Sequence, residues 1–147
     1  MTLDTYPSTE EHLRLNAELG ELARLTAWLD GFCERHQIPD EAHYHLNVVV
    51  EELVINAIKH GRCSPVEGAI AVALKLSGQE LNITITDTGI PFNPLNAPPP
   101  DLTGSLAERP IGGLGIHLVR SLMNSLEYER QGGRNRLRIT KLLNASS

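Results

Sequence analysis

The sequence has 147 residues, of which 41% are hydrophobic and 21% charged, and its net charge is −5 at pH 7. These values fit one globular domain with its own core, which we expect to span residues 1–147, and they exclude a disordered chain. The acidic balance argues against nucleic acid as a partner, because phosphate backbones are bound by concentrated basic faces.

The first part of the chain predicts a strand followed by two helices. The first ten residues are polar and expected to be loose, and residues 12–15 alternate like a short strand. Residues 18–36 and 40–60 carry apolar side chains at a helical period, and Gly61 is a stop signal for the second helix. The expected core face of the second helix comprises Leu46, Val49, Val50, Leu53, Ala57 and Ile58.

A hairpin and a long loop come next. Residues 70–76 and 81–87 alternate like two strands, and residues 77–79 form a plausible turn between them. Residues 89–111 show no helix or strand period and contain six of the nine prolines. Long loops in compact domains are usually lids, binding loops or disordered segments, so this segment predicts a lid.

The last part of the chain predicts a helix and a second hairpin. Glycines at 112, 113 and 115 open a helix that we expect to end near Leu126. A hairpin follows, with its turn at Gly132 and Gly133. Strands in adjacent pairs favour an antiparallel or mixed sheet. The expected fold is therefore an α+β two-layer sandwich, with a mixed, mostly antiparallel sheet covered on one face by helices.

The cysteines and the hydropathy bear on the compartment. Cys33 and Cys63 lie far apart and outside any zinc-ligand spacing, which predicts free thiols in a reducing compartment. No charged-then-apolar leader is visible, and no apolar run approaches the ~20 residues that span a bilayer. We therefore expect a cytoplasmic protein without membrane contact.

Glu52 and Asn56 lie four residues apart, so they share one face of the second predicted helix. Spacing alone favours a solvated helix face. The surrounding residues are so apolar, however, that little of this helix is suited to water, and buried polar groups need partners. An Asn oxygen can bind a hard cation and a Glu carboxylate can accept a proton.

Asp87 follows three aliphatic residues of the same strand parity, which predicts that it points toward the core. Asp87-Thr88-Gly89 is also a common turn sequence. In the functional interpretation, the carboxylate accepts a hydrogen bond from a ligand amino group, and Gly89 lets a flat ring approach the backbone.

The glycines at 112–115 precede a predicted helix, where free backbone N–H groups and the helix dipole favour an anion. The alternative is a flexible hinge. This segment is not the dinucleotide-binding fingerprint, which directly follows a strand, and the chain has no Gly-Lys-Ser/Thr sequence of a P-loop.

Three segments resemble the motifs of the GHKL ATPase superfamily, which includes gyrase, Hsp90, histidine kinases and MutL. Residues 52–61 resemble the N box, residues 87–92 the first glycine box and residues 112–119 the second, in the same order and spacing. The resemblance covers residues 10–143. Within the superfamily, the compact N box and short lid are most similar to the anti-sigma-factor serine/threonine kinases of bacterial partner-switching systems.

The resemblance implies a Bergerat fold that binds Mg-ATP, and it assigns a role to each matching residue. Catalysis and metal binding would fall to Glu52 as the general base and Asn56 as the Mg²⁺ ligand. Adenine would be bound by Asp87 through its amino group and by Gly89 near the ring. The phosphates would be cradled by Gly113 and Gly115, with residues 90–111 as the lid and Arg109 as a γ-phosphate contact. Lys59, His60 and His117 could also touch phosphates, although a helix surface or a structural histidine fits each of them as well.

Two positions depart from the relatives. Asn124 stands where many have an aspartate, and we expect little functional consequence. Gly133-Arg134-Asn135 replaces the Gly-Thr of histidine kinases, which disfavours a sensor kinase and puts the contacts at the phosphate end in question.

The resemblance therefore predicts a serine/threonine protein kinase that phosphorylates a STAS-type anti-sigma-factor antagonist and sequesters a sigma factor. One alternative is an ATP-binding interaction switch that transfers no phosphate. Another is the catalytic ATP-binding module of a histidine kinase. A homodimer is compatible with the first prediction, since such kinases are often dimers.

Overall fold

A computed structural model describes residues 8–60, 67–96 and 115–143. Arg109, Gly113 and most of the predicted lid lie outside the described residues. The strands are β1 (Ser8–Leu15), β2 (Ile70–Ser77), β3 (Glu80–Asp87), β4 (Ser125–Gln131) and β5 (Arg134–Leu142). The helices are α1 (Leu22–Arg35), α2 (Asp40–His60) and α3 (Gly115–Leu122), with short 3-10 turns at Leu19–Glu21 and Pro94–Asn96.

The strands form one five-stranded sheet in the order β1-β2-β3-β5-β4. Every neighbouring pair is antiparallel, so the described sheet is not mixed. The α+β fold class is confirmed. Pairing β3 with β5 places Asp87 opposite Asn135 at one end of the sheet.

The core lies between one face of the sheet and the helices. Along β2, β3 and β5 the buried residues share one parity, as the alternation predicts. They pack with the apolar faces of the helices in one cluster. The predicted face of α2 is buried except for Ile58, which is partly buried. No helix among the described residues is long and apolar enough to cross a membrane.

Two element boundaries differ from the prediction. β1 begins at Ser8 rather than residue 12, because the whole strand pairs with β2. The prediction that the third helix reaches Leu126 is wrong, because α3 ends at Leu122. Leu126 lies in β4 and pairs with Ile139 of β5. Asn124 marks the change: its N–H donates to the Thr140 carbonyl and its Oδ1 accepts from the Leu142 N–H, both at 2.8 Å.

Candidate functional site

Among the described residues, three polar side chains are buried, namely Asn56, Asp87 and Asn135. All three line one cavity between α2 and the end of the sheet. Its remaining walls are mostly apolar, from Leu53, Ala57, Ile85, Phe92, Pro94 and Leu137. Buried polar groups cost free energy and are rarely retained without a partner or a task. Their convergence in a small apolar cavity marks this end of the sheet as a candidate ligand site.

Asp87 ends β3 and points toward the core, as its parity predicts. Its Oδ1 accepts from the Gly89 N–H at 2.8 Å and from Asn135 Nδ2 at 2.9 Å. The bond to Gly89 is also the turn that the Asp-Thr-Gly sequence predicts. The turn and the inward-facing carboxylate therefore occur together, and the two interpretations of Asp87 do not compete.

Glu52 lies one turn before Asn56 on α2 and is partly buried. Its Oε2 is buried and has no hydrogen-bond partner. Burial raises the pKa of the Glu52 carboxyl, and the charge of Lys59 opposes this increase. A raised pKa brings a carboxylate closer to the range useful for proton transfer near neutral pH. The solvated-face alternative does not fit Glu52.

Asn135 is the functional candidate that sequence reasoning missed. It shares strand parity with Leu137 and Ile139, so a polar residue in an apolar series was the available signal. The departure at 133–135 was expected to affect the phosphate end. The effect on the phosphate end stays a prediction, and the structure adds a contact that it did not include, since Asn135 is hydrogen-bonded to Asp87, the residue that the resemblance assigns to adenine.

The segment after Asp87 is held from two sides. Arg130 of β4 donates to the Gly89 carbonyl at 2.7 Å. On the other side, the His60 ring stacks on Phe92, with ring centroids 5.3 Å apart. Gly89 therefore lies beside Asp87, the residue predicted to bind adenine, and His60 at the end of α2 contacts the same segment.

The predicted phosphate end is only partly described. Gly115 begins α3, which packs against α2. His117, two residues on, has a buried Nε2 without a hydrogen-bond partner. No cluster of three or more His, Cys, Asp or Glu side chains suited to a metal occurs in the described ranges. The predicted Mg²⁺ site uses Asn56, whose oxygen is a suitable ligand type when phosphate oxygens complete the shell.

Comparison with known proteins decides the family. The profile of the histidine kinase-like ATPase domain matches residues 15–141. This chain belongs to the histidine kinase-like ATPase domain family. The predicted relationship to the GHKL superfamily is thereby confirmed.

Two curated relatives of this ATPase domain are named protein kinases. The chain is 29% identical over 113 residues to the serine/threonine-protein kinase BtrW of Bordetella bronchiseptica, covering 77% of this chain and 80% of the relative. It is 28% identical over 114 residues to the serine-protein kinase RsbW of Listeria monocytogenes, covering 75% of this chain and 71% of the relative.

A crystal structure of the RsbU and RsbW domains of a Mycobacterium tuberculosis protein has the same fold. It superposes with a TM-score of 0.70 over 93% of this chain at 18% identity. The superposed region covers 33% of that solved chain. At this identity the likeness concerns the fold alone.

Proposed function

We propose that this chain is an ATP-dependent serine/threonine protein kinase that acts in the cytoplasm. The observation that carries the proposal is the convergence of the buried Asn56, Asp87 and Asn135 in one apolar cavity, with Glu52 one turn away. The family and the kinase names of two relatives support the same function.

The nucleotide would bind with adenine toward the sheet and phosphates toward α2 and α3. The Asp87 carboxylate accepts a hydrogen bond from the adenine amino group, and the small Gly89 allows the ring close to the backbone. Asn56 would hold Mg²⁺ through its side-chain oxygen, and the ion would supply neutralisation of the phosphate charge. Gly115 at the start of α3 would face the phosphates, and the resemblance assigns Gly113 and Arg109, which lie outside the described residues, to the same end of the nucleotide.

In the proposed reaction, the hydroxyl oxygen of a serine or threonine attacks the γ-phosphorus. A new oxygen–phosphorus bond forms as the bond to the leaving ADP oxygen breaks. The proton of the hydroxyl passes to the Glu52 carboxylate. The raised pKa of this carboxyl favours that transfer, because the acceptor is a stronger base than an exposed glutamate.

The proposed protein substrate is a STAS-type anti-sigma-factor antagonist, and the proposed second partner is a sigma factor. Both follow from the resemblance to anti-sigma-factor kinases, which the similarity to proteins named RsbW and BtrW supports. The first substrate to try is a STAS-domain protein from the same organism.

The test measures transfer of radiolabelled phosphate from Mg-ATP to that STAS protein. Glu52→Gln removes the base, and Glu51→Gln is the matched control, because Glu51 only accepts a 2.8 Å hydrogen bond from Thr26. We expect loss of about a hundredfold or more in rate for Glu52→Gln and little change for Glu51→Gln. An acid-stable phosphate distinguishes serine or threonine from histidine as the acceptor.

Other outcomes would select the alternatives. If the wild-type protein binds ATP but never labels the partner, and Glu52→Gln keeps its effect on the partner, the domain is an ATP-binding switch. Labelling of a histidine in a partner helix would instead identify the catalytic module of a histidine kinase. Absence of any ATP binding would remove the kinase proposal altogether.

A further inference from the structure

Asn135 is saturated by hydrogen bonds within the protein. Its Nδ2 donates to Asp87 Oδ1 at 2.9 Å and to the Ile90 carbonyl at 2.7 Å. Its Oδ1 accepts from the Phe92 N–H at 3.2 Å and from the Tyr128 hydroxyl at 2.5 Å. A carboxamide has two N–H donors and two acceptor lone pairs. Each is engaged, so the amide has no capacity left for a ligand.

These bonds connect Asp87, at the end of β3, with the backbone of residues 90–92, which follow β3 in the chain. Asp87 Oδ1 is held by both Asn135 and the Gly89 N–H, which fixes the plane of the carboxylate. The same amide holds the backbone at residues 90–92, and Arg130 holds the Gly89 carbonyl. Because the Asp87 carboxylate is already held in place, it needs no reorganisation when a ligand binds.

The β4–β5 hairpin supplies the three side chains that make these hydrogen bonds, Tyr128, Arg130 and Asn135. Asn135 and Arg130 are register partners in the hairpin, and Tyr128 lies two residues before Arg130 on β4. Tyr128 is partly buried and packs against the hydrophobic core, which holds the hydroxyl in place. The orientation of Asp87 is therefore set by an element far from it in sequence.

We propose that Asn135 is a positioning residue for nucleobase recognition. It orients Asp87 and residues 90–92 as one unit, so that the site favours a purine that carries an exocyclic amino group over a purine that lacks one. Asn135 acts through Asp87 and does not contact the nucleotide. This inference rests on the proposed function, in which Asp87 accepts the adenine amino group.

The test compares two ligands that differ by that amino group, ATP and purine riboside 5′-triphosphate, by calorimetry with Mg²⁺. The quantity of interest is the ratio of their dissociation constants. We expect wild-type protein to favour ATP by about tenfold or more, the range of a hydrogen bond to a charged group. In Asn135→Ala the ratio should fall below about threefold, since a loosened carboxylate loses most of that bond.

Asn82→Ala is the matched control. It removes an asparagine from β3 whose Oδ1 accepts from Thr140 of β5 at 3.1 Å, on the strand face opposite Asp87. Its ratio should equal that of wild type. A merely structural role for Asn135 would weaken both ligands equally and leave the ratio unchanged, and that result would overturn the inference.

Failure of the proposed function gives a different result. If wild-type protein binds neither ligand, or binds both equally, the assignment of Asp87 is wrong and the inference falls with it. If Asn135→Ala does not fold, Tyr128→Phe decides, because it removes only the hydroxyl that holds Asn135 Oδ1. We then expect a ratio lowered by about two- to fivefold, and an unchanged ratio would overturn the inference.

Discussion

Replacing Glu52 by glutamine is expected to stabilise the unliganded protein while it removes phosphotransfer. The Oε2 of Glu52 is buried without a hydrogen-bond partner. Glutamine still places a polar group there but removes the charge, and for this we take about 1 kcal/mol, the lower end of the mutational range for unpaired burial, because Glu52 is only partly buried. Glu52→Gln should therefore raise the free energy of unfolding by about 1 kcal/mol at pH 8. For a chain of this length, that raises Tm by about 3 °C.

The gain should depend on pH, with a sign set by the raised pKa. Burial raises the folded-state pKa of Glu52 above the reference value of 4.5. Below about pH 4 the carboxyl is neutral in both the folded and unfolded states, so wild type and Glu52→Gln should differ little. As the pH rises through the folded pKa, wild type must bury a charge and loses stability relative to the variant.

Urea unfolding at about pH 4 and pH 8 measures both effects. Glu51→Gln is again the control, because the glutamine oxygen can still accept from Thr26, and we expect no gain from it. A Glu52→Gln protein that is less stable than wild type at pH 8 would contradict a cost for the buried Glu52 charge. So would a gain of the same size at both pH values.

Three further predictions concern the fold. The pKa of the Glu11 carboxyl is lowered mainly by its hydrogen bond with Arg35. This carboxylate should contribute stability above pH 4.5 that is lost as the pH falls through its folded pKa. In urea unfolding, Glu11→Gln should therefore cost up to about 1 kcal/mol at pH 7 and almost nothing near pH 3. Burial raises the pKa of the Cys33 thiol to about 11, so in a Cys63→Ser background Cys33 should resist Ellman's reagent at pH 8 until urea unfolds the protein; rapid reaction of the folded protein would contradict this. Phe32 is fully buried, and Phe32→Ala should cost about 3–5 kcal/mol in the free energy of unfolding, a loss under 1 kcal/mol counting against the packing.

The parts of the site that lie within single elements could be predicted from the sequence. Helical spacing put Glu52 and Asn56 on one face, and strand parity turned Asp87 inward. Both predictions needed only local geometry. The glycines before α3 were found in the same way, although only Gly115 falls among the described residues.

The parts that depend on pairing across the sheet could not be predicted. Asn135 becomes part of the site because β3 and β5 pair in a register that no local pattern specifies. The end of α3 was missed for a similar reason, since Asn124 bonds to β5 and begins a strand where the apolar period alone continues a helix. The predicted first strand is too short, because the polar half of β1 is stabilised by pairing with β2, more than fifty residues away in the chain.

The nucleotide site proposed around Asp87 is best tested by calorimetry with Mg-ATP on wild type, Asp87→Asn and Glu52→Ala side by side. We expect wild type to bind Mg-ATP, Glu52→Ala to bind it with similar affinity because the base does not hold the nucleotide, and Asp87→Asn to lose at least about tenfold in affinity. Wild-type protein without affinity for ATP, or an Asp87→Asn protein that binds as tightly as wild type, would contradict the proposed site.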